Sequence, residues 1–297
     1  MMLRFSAASL LLPAALAAQP DPADYAIHAS SGARIELPAL ADALAGYDAV
    51  FLGEVHDDAV THRVQAALLA ELGERRPRLL LSLEMFERDV QVAVDEYAAG
   101  RMEEDAFLAA SRPWPNHATD YRPLVELARG LRWPVVAANV PRPLATAVSR
   151  GGMAALDTLP PEHMRWYAAR RDCAPEGEYF RRFSEAMGGM GGHGGEGAVE
   201  RFYAAQCLKD ETMAESIVRA RQAWPGWMTV HVNGGFHSDF GLGTVERLRR
   251  REPAVRIAVV AMVPVPDPAA ADLAEHAGRG DWIVFTRRAP RDEAAAP

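Results

Sequence analysis

Basic residues are in short supply in this 297-residue sequence, which carries 32 Lys and Arg against 40 Asp and Glu. The net charge of -8 argues against a nucleic-acid surface, because phosphate binding needs concentrated positive charge. The one basic run, residues 247–251, falls late in a predicted helix. Cations suit that end of the helix dipole, so we interpret the run as a solvated helix end.

Cysteine is equally scarce, with only Cys173 and Cys207 in the whole sequence. They flank a glycine-rich segment, and a disulfide that closes this segment is favoured over two free buried thiols. A metal site built on cysteine is less favoured than either.

Long hydrophobic runs are absent apart from one at the N-terminus. Arg4 precedes an apolar run over residues 5–18 that ends in small residues, and this pattern predicts a cleaved secretory signal over residues 1–18. No other stretch approaches the roughly twenty apolar residues of a membrane span. With no cysteine near the cleavage site to accept lipid, we expect a periplasmic or secreted protein. Residues 289–297, rich in Ala, Pro and acidic residues, are predicted to be a frayed tail.

The apolar runs that remain are short and continuous, which predicts strands buried on both faces of a mostly parallel sheet. The fold class is therefore α/β, with helices flanking the sheet. The predicted strands are 49–52, 78–86, 134–140, 228–233, 256–265 and 282–286, and the predicted helices are 60–76, 89–99, 120–131, 143–150 and 242–251. Residues 32–44 form a short entry segment, and Asp57 or Asp58 is expected to cap the helix that follows the first predicted strand.

The alternation breaks over residues 160–222, where helical patterns occur without a convincing strand. We predict an all-helical insertion with helices over 161–171, 178–186 and 198–221. The predicted organisation is an α/β core in two parts, 19–150 and 226–288, with residues 151–225 as a helical subdomain between them. The glycine-rich link over 187–197 is either a flexible spacer or a ligand-binding loop, since it carries Met190 and His193.

Polar side chains stand at the ends of four predicted strands. Glu54 and His56 follow the first, Glu84 ends the second, Asn139 ends the third and His237 follows the fourth. The carboxyl ends of parallel strands share one edge, so these side chains are expected to meet in a cleft. Glu and His in such a set serve acid–base chemistry or metal binding.

The sequence lacks a Gly-X-Ser-X-Gly motif, which disfavours covalent serine catalysis. A hydrolase would instead use His56 as the general base, with Glu54 fixing its ring. Glu84 would orient the water, and His237 would bind the developing oxyanion or a divalent metal. The metal ligands on this hypothesis are His56, Glu84 and His237. A third interpretation is an interaction domain that keeps an old site without turnover.

Five segments together resemble the ChaN family of haem-binding, iron-regulated proteins, within the wider group of erythromycin esterases and Tiki or TraB proteins. These segments are Gly53 to His56, Leu83 to Phe86, Trp114 to Tyr121, Ala205 to Ala214 and Asn233 to His237. The resemblance implies an α/β core with a helical insertion that holds haem, and it allows for a homodimer with haem between the two subunits. It implies a role in haem or iron acquisition, with an outer-membrane receptor or transporter as an expected partner.

The resemblance implies Tyr and His as haem ligands but does not single out one residue. The insertion combines aromatic residues, methionines and a histidine, as a large apolar slot with an axial ligand requires. The candidates for contact with haem are His193, Tyr167, Tyr179, Tyr203 and Met190. Whether this chain binds haem or hydrolyses a substrate is left open by the residues alone.

Overall fold

A computed structural model describes residues 20–188 and 197–288, and these residues form one α/β layer structure. The predicted fold class is confirmed. Its strands are β1 (Tyr25–Ala29), β2 (Arg34–Ile35), β3 (Ala49–Glu54), β4 (Leu79–Glu87), β5 (Val135–Asn139), β6 (Met228–Gly234), β7 (Ile257–Val265) and β8 (Trp282–Arg287). The strands make a single sheet in the order β2-β1-β8-β7-β3-β6-β4-β5.

The six strands from β8 to β5 run parallel, while β1 pairs antiparallel with both β8 and β2. Strand β3 lies in the middle, between β7 and β6, and all six of its residues are buried. This burial on both faces is the physical reason for its unbroken apolar run. The carboxyl ends of β3, β6 and β4 consequently lie side by side.

Nine α-helices lie within the described residues. They are α1 (Leu37–Leu44), α2 (Ala59–Arg75), α3 (Gln91–Ala98), α4 (Glu104–Ser111), α5 (Arg122–Leu131), α6 (Arg142–Gly151), α7 (Gly177–Gly188), α8 (Ala198–Ala223) and α9 (Gly243–Arg251). Asp58 caps α2 by accepting a hydrogen bond from the Val60 amide. The entry segment over 32–44 forms β2 and α1, whereas β1 and α4 were not predicted.

Between β5 and β6 the described residues contain helices and no strand, as predicted. The predicted helix over 161–171 is wrong beyond its first turns, because only Pro161–Trp166 is helical and in the tighter 3-10 form. Tyr167 is extended, and the amides of Ala168 and Ala169 donate to Thr212 Oγ1 and Glu215 Oε2 on α8. These bonds to α8 replace the bonds that a continued helix would have made.

The basic run on α9 is not a solvated helix end. Arg247 is only 3% exposed, and its guanidinium lies 3.3 Å from the buried carboxylate of Glu211 on α8. Arg250 and Arg251 pair with the same carboxylate. The run therefore ties α9 to α8 instead of facing water.

A disulfide joins Cys173 to Cys207, as favoured from the sequence. It fastens the segment before α7 to the buried face of α8. The predicted signal over 1–18 and the tail over 289–297 lie outside the described residues. Within residues 20–188 and 197–288, no helix combines the length and apolar character needed to cross a membrane.

Candidate functional site at the strand ends

Glu54, the last residue of β3, is the centre of a buried polar network. Its Oε1 accepts hydrogen bonds from the Tyr121 hydroxyl at 2.6 Å and from His56 Nδ1 at 3.0 Å, and its Oε2 accepts one from Gln65 Nε2 at 2.7 Å. The carboxylate is only 3% exposed. Because a carboxylate oxygen only accepts, the proton on His56 Nδ1 is fixed and Nε2 carries the lone pair.

His56 is the half-exposed member of the site, with 43% of its side chain open to solvent. Its ring packs edge-on against Trp114 at a centroid distance of 4.7 Å, and its carbonyl accepts from Asn116 Nδ2 at 2.8 Å. Burial lowers the pKa of His56, but the hydrogen bond to Glu54 and the charge of Glu84 outweigh burial and raise it. The imidazole is thus oriented by Glu54 and accessible to solvent.

A second group of buried charges lies beside the first. His237 Nε2 is 3.3 Å from Glu84 Oε1, and His237 Nδ1 is 2.7 Å from Asp210 Oδ1. Glu84 Oε2 also accepts from the Gly234 amide at 2.7 Å. Burial lowers the pKa of His237, but the two carboxylates outweigh burial and raise it to about 9. Burial conversely raises the pKa of Glu84, but the positive charge of His237 holds it below its usual range.

Gly234 is where the two groups meet. A Cβ at this position would lie 2.8 Å from His56 Nε2, which is too close, and 3.6 Å from Glu84 Oε2, which is ordinary contact, so a larger residue would displace the His56 ring. Gly53 is constrained in the same way, since a Cβ there would lie 2.7 Å from Ser238 Oγ. The glycines therefore allow the turn after β6 to approach the end of β3 closely.

Asp210 connects the strand ends to the helical segment. It lies on α8, is fully buried, and its Oδ2 accepts from the Tyr179 hydroxyl of α7 at 2.7 Å. Its Oδ1 accepts from Thr244 Oγ1 at 2.8 Å as well as from His237. Burial and the neighbouring Asp210 raise the pKa of Tyr179 well above its usual value. Glu84, His237 and the predicted haem ligand Tyr179 consequently belong to one network that runs through Asp210.

The raised pKa of His237 predicts a loss of stability on the alkaline side. Its contribution is complete below the unfolded value of about 6.5 and disappears as the pH rises through about 9, because deprotonation leaves Glu84 and Asp210 beside a neutral ring. Between pH 6 and pH 10 the free energy of unfolding should fall on the order of 3 kcal/mol. Urea unfolding at both pH values measures this, and His237→Gln should lack most of the fall. An equal fall in that variant would assign the pH dependence to other groups.

The structure brings Glu54, His56, Glu84 and His237 to one edge, although their chemical roles stay predictions. Asn139 does not contact the others: its Oδ1 accepts from the adjacent Val140 amide. Tyr203 packs against Tyr179 at a centroid distance of 5.7 Å, whereas Tyr167 lies in a separate apolar cluster with Val140 and Leu144. His193 and Met190 lie outside the described residues.

The predicted divalent-metal site gains no support. In the part of the chain that the structure describes, no group of three or more His, Cys, Asp or Glu side chains is arranged to hold a metal ion. His56 and His237 are each already engaged with a carboxylate at Nδ1. Glu84 is occupied by the Gly234 amide and His237.

Sequence reasoning missed Asp210, Gln65 and Tyr121 as members of the site. Asp210 carried a usable signal, since it stands three residues from both Cys207 and Met213, on the buried face of α8. A carboxylate on an apolar helix face must find a buried partner. Gln65 and Tyr121 gave no such signal, because their partner Glu54 is reached only through the fold.

The chain is an α/β protein with an open sheet, a cluster of Glu and His side chains at the strand ends, and a helical segment between β5 and β6. Residues 40–248 match the family model described as haem-binding uptake, Tiki superfamily, ChaN. The match covers well over half of the chain, and this protein belongs to the ChaN family. The family resemblance found in the sequence is confirmed.

Several solved structures are similar to this one. ChaN of Campylobacter jejuni, described with cofacial haem, is 15% identical, with a TM-score of 0.65 over 89% of this chain and 98% of that chain. A mutant of the erythromycin esterase EreC, in its open conformation, is 15% identical, with a TM-score of 0.46 over 86% of this chain and 80% of that chain. The similarity to the Campylobacter jejuni ChaN shows a shared fold. The similarity to EreC supports no inference. No curated protein matches the sequence at a significant level.

Proposed function

We propose that this protein binds haem and serves haem or iron acquisition outside the cytoplasm. The observation that carries the proposal is the match of residues 40–248 to a family described as haem-binding and uptake. The shared fold with a ChaN described with cofacial haem adds support. The structure also contains a cavity next to the strand-end site that we assign to haem.

This cavity, which we call the α7 cavity, has a volume of about 420 Å³ and lies between α7 and the ends of β3, β6 and β7. Apolar side chains make much of its wall, including Phe236, Leu242 and Met262, and Tyr179 borders it from α7. Five charged side chains also line the cavity, those of Glu54, Arg182, Glu185, Asp239 and Arg279. Small-molecule sites usually combine apolar walls with polar groups that orient the ligand. We therefore assign the porphyrin to this cavity, where bound iron would supply a position open to a phenolate or imidazole.

Among the predicted ligands that the structure describes, Tyr179 borders the α7 cavity, and Tyr167 and Tyr203 do not. Its hydroxyl donates to Asp210, which would have to release it for iron coordination. Tyr203 stands behind Tyr179 in the same aromatic cluster, and the glycine-rich segment with His193 follows directly after α7. We therefore expect His193, Tyr179 or Tyr203 to be the axial ligand, in preference to Tyr167.

Haemin titration of single variants tests this placement. We expect His193→Ala, Tyr179→Phe, Tyr203→Phe or Tyr167→Phe to shift the Soret band or weaken binding at least about tenfold in at least one case. Tyr47→Phe is the matched control, because Tyr47 packs against Trp282 and lies outside the site. If all four variants bind like the parent while Glu84→Gln or His237→Ala abolishes binding, the ligand lies at the strand ends. A parent protein that does not bind haemin would refute the proposed function.

The proposed location outside the cytoplasm draws support from the N-terminal signal pattern and from the disulfide, a bond that persists mainly in oxidising compartments. Cell fractionation with mass spectrometry of the mature N-terminus tests it. A homodimer and an outer-membrane receptor are part of the same proposal. Sedimentation with and without haemin tests the first, and cross-linking in intact cells tests the second.

A further inference from the structure

Three buried polar atoms with no hydrogen-bond partner among the described residues belong to side chains that border the α7 cavity. They are Arg182 Nε, Arg279 Nε and Asp239 Oδ1. Native proteins leave few such atoms unsatisfied, and a group of them at one cavity calls for an explanation. Both Nε atoms lie within ion-pair distance of a carboxylate oxygen, at 2.7 Å from Glu178 Oε1 and 3.0 Å from Asp239 Oδ2, but out of line for a hydrogen bond.

Contacts with neighbouring side chains hold the two guanidinium groups in place. Arg182 stacks on the ring of Phe240, with its central carbon 3.5 Å from the ring centroid. Arg279 is fixed by its ion pair with Asp239. Each arginine side chain keeps 32% of its surface exposed. Preorganised guanidinium groups of this kind are suited to bidentate pairing with carboxylates.

The geometry points to the α7 cavity as a subsite for the carboxylate groups of an amphiphilic dicarboxylate, with Arg182 and Arg279 as the pairing residues. The apolar wall takes the body of the ligand, and the arginines take its acidic edge. This inference rests on the proposed haem binding, since the two propionates of a porphyrin supply this chemistry.

Asp239 sets the strength of the subsite. Its Oδ2 lies 3.0 Å from Arg279 Nε, so its carboxylate competes with an incoming carboxylate for that guanidinium. Burial raises the pKa of Asp239 to about 7, although Arg279 and Arg182 oppose the change. Because each arginine side chain keeps 32% of its surface exposed, the ion pair with Asp239 still leaves guanidinium surface open to a ligand carboxylate.

Three porphyrin probes separate the subsite from iron coordination. Protoporphyrin IX carries the propionates without a metal, haemin carries both, and haemin dimethyl ester carries iron without free carboxylates. We expect Arg182→Met and Arg279→Met each to weaken protoporphyrin IX and haemin binding about 10- to 100-fold, measured by porphyrin fluorescence and absorbance. Binding of the dimethyl ester should not change in either variant.

Arg101→Met is the control, because Arg101 is an exposed arginine that pairs with Glu96, and neither residue borders the cavity. It should bind all three probes like the parent. Asp239→Asn should strengthen binding of the two dicarboxylate probes several-fold. Loss of a residue with only a structural role would not increase the affinity. This variant keeps the test decisive if a methionine variant fails to fold.

The outcomes are distinguishable. A parent that binds haemin, with arginine variants that bind it equally well or an Asp239→Asn variant that binds it no better, would overturn the subsite and leave the proposed function standing. A parent that binds none of the three probes would overturn the proposed function itself.

Discussion

Replacing Asp210 by alanine should lower the free energy of unfolding by about 3–5 kcal/mol, because it removes one partner of a buried ion pair. Asp210 is fully buried and accepts hydrogen bonds from His237, Tyr179 and Thr244. Burial raises the pKa of Asp210, but the charges of His237 and Arg247 outweigh burial and lower it. The alanine variant would leave three donors unpaired and the His237 imidazolium with Glu84 alone.

Urea unfolding at pH 7, followed by circular dichroism, measures the loss. Asp210→Asn retains the volume and one acceptor oxygen, so its loss should lie between those of the parent and the alanine variant. Asp157→Ala is the control, since that carboxylate is 69% exposed and 3.5 Å from Arg171. It should change stability by less than about 0.5 kcal/mol. A loss below about 1 kcal/mol in Asp210→Ala would mean that His237 is not charged in the folded protein.

Loss of the Cys173–Cys207 disulfide should cost about 3–4 kcal/mol, because the bond closes a loop with a sequence separation of 34 residues and restricts the unfolded chain. The loop contains α7, which forms one wall of the α7 cavity. Haemin binding should therefore weaken together with stability. The test compares urea unfolding of the parent with that of the Cys173→Ala/Cys207→Ala double variant.

The reducing agent dithiothreitol supplies the control. It should move the parent to the midpoint of the double variant and leave the variant unchanged. Two free thiols in the unreduced, unfolded parent would show instead that the bond does not form in the protein as isolated.

The sequence was sufficient where a residue's environment follows from its own neighbours. Strand β3 and a helix cap at Asp57 or Asp58 were predicted, because continuous burial and helix capping leave local patterns, and the structure places the cap at Asp58. The set of Glu54, His56, Glu84 and His237 was also predicted, since parallel strands present their carboxyl ends at one edge. Asn139 also stands at a strand end but is not part of this set, because its side chain accepts a hydrogen bond from the Val140 amide.

The helical segment was predicted less well. Its helical character was clear, but the chain leaves the helix after Trp166 because α8 side chains bind the next amides. Arg247 was assigned to solvent because arginine suits a helix end, whereas α8 places Glu211 beneath it. In both cases a partner distant in sequence outweighed a local preference.

By itself, the sequence determined the alternation of strands and helices, the family and the residues that stand at the strand ends. Only the tertiary structure decided which of those residues share protons and charge. Tyr179, Asp210 and His237 come from α7, α8 and the turn after β6, and their hydrogen bonds exist only when the three segments pack together. The α7 cavity is a product of the same packing. The physical reason is that a buried charge is stable only with a partner in reach, and partners far apart in sequence are chosen by the fold.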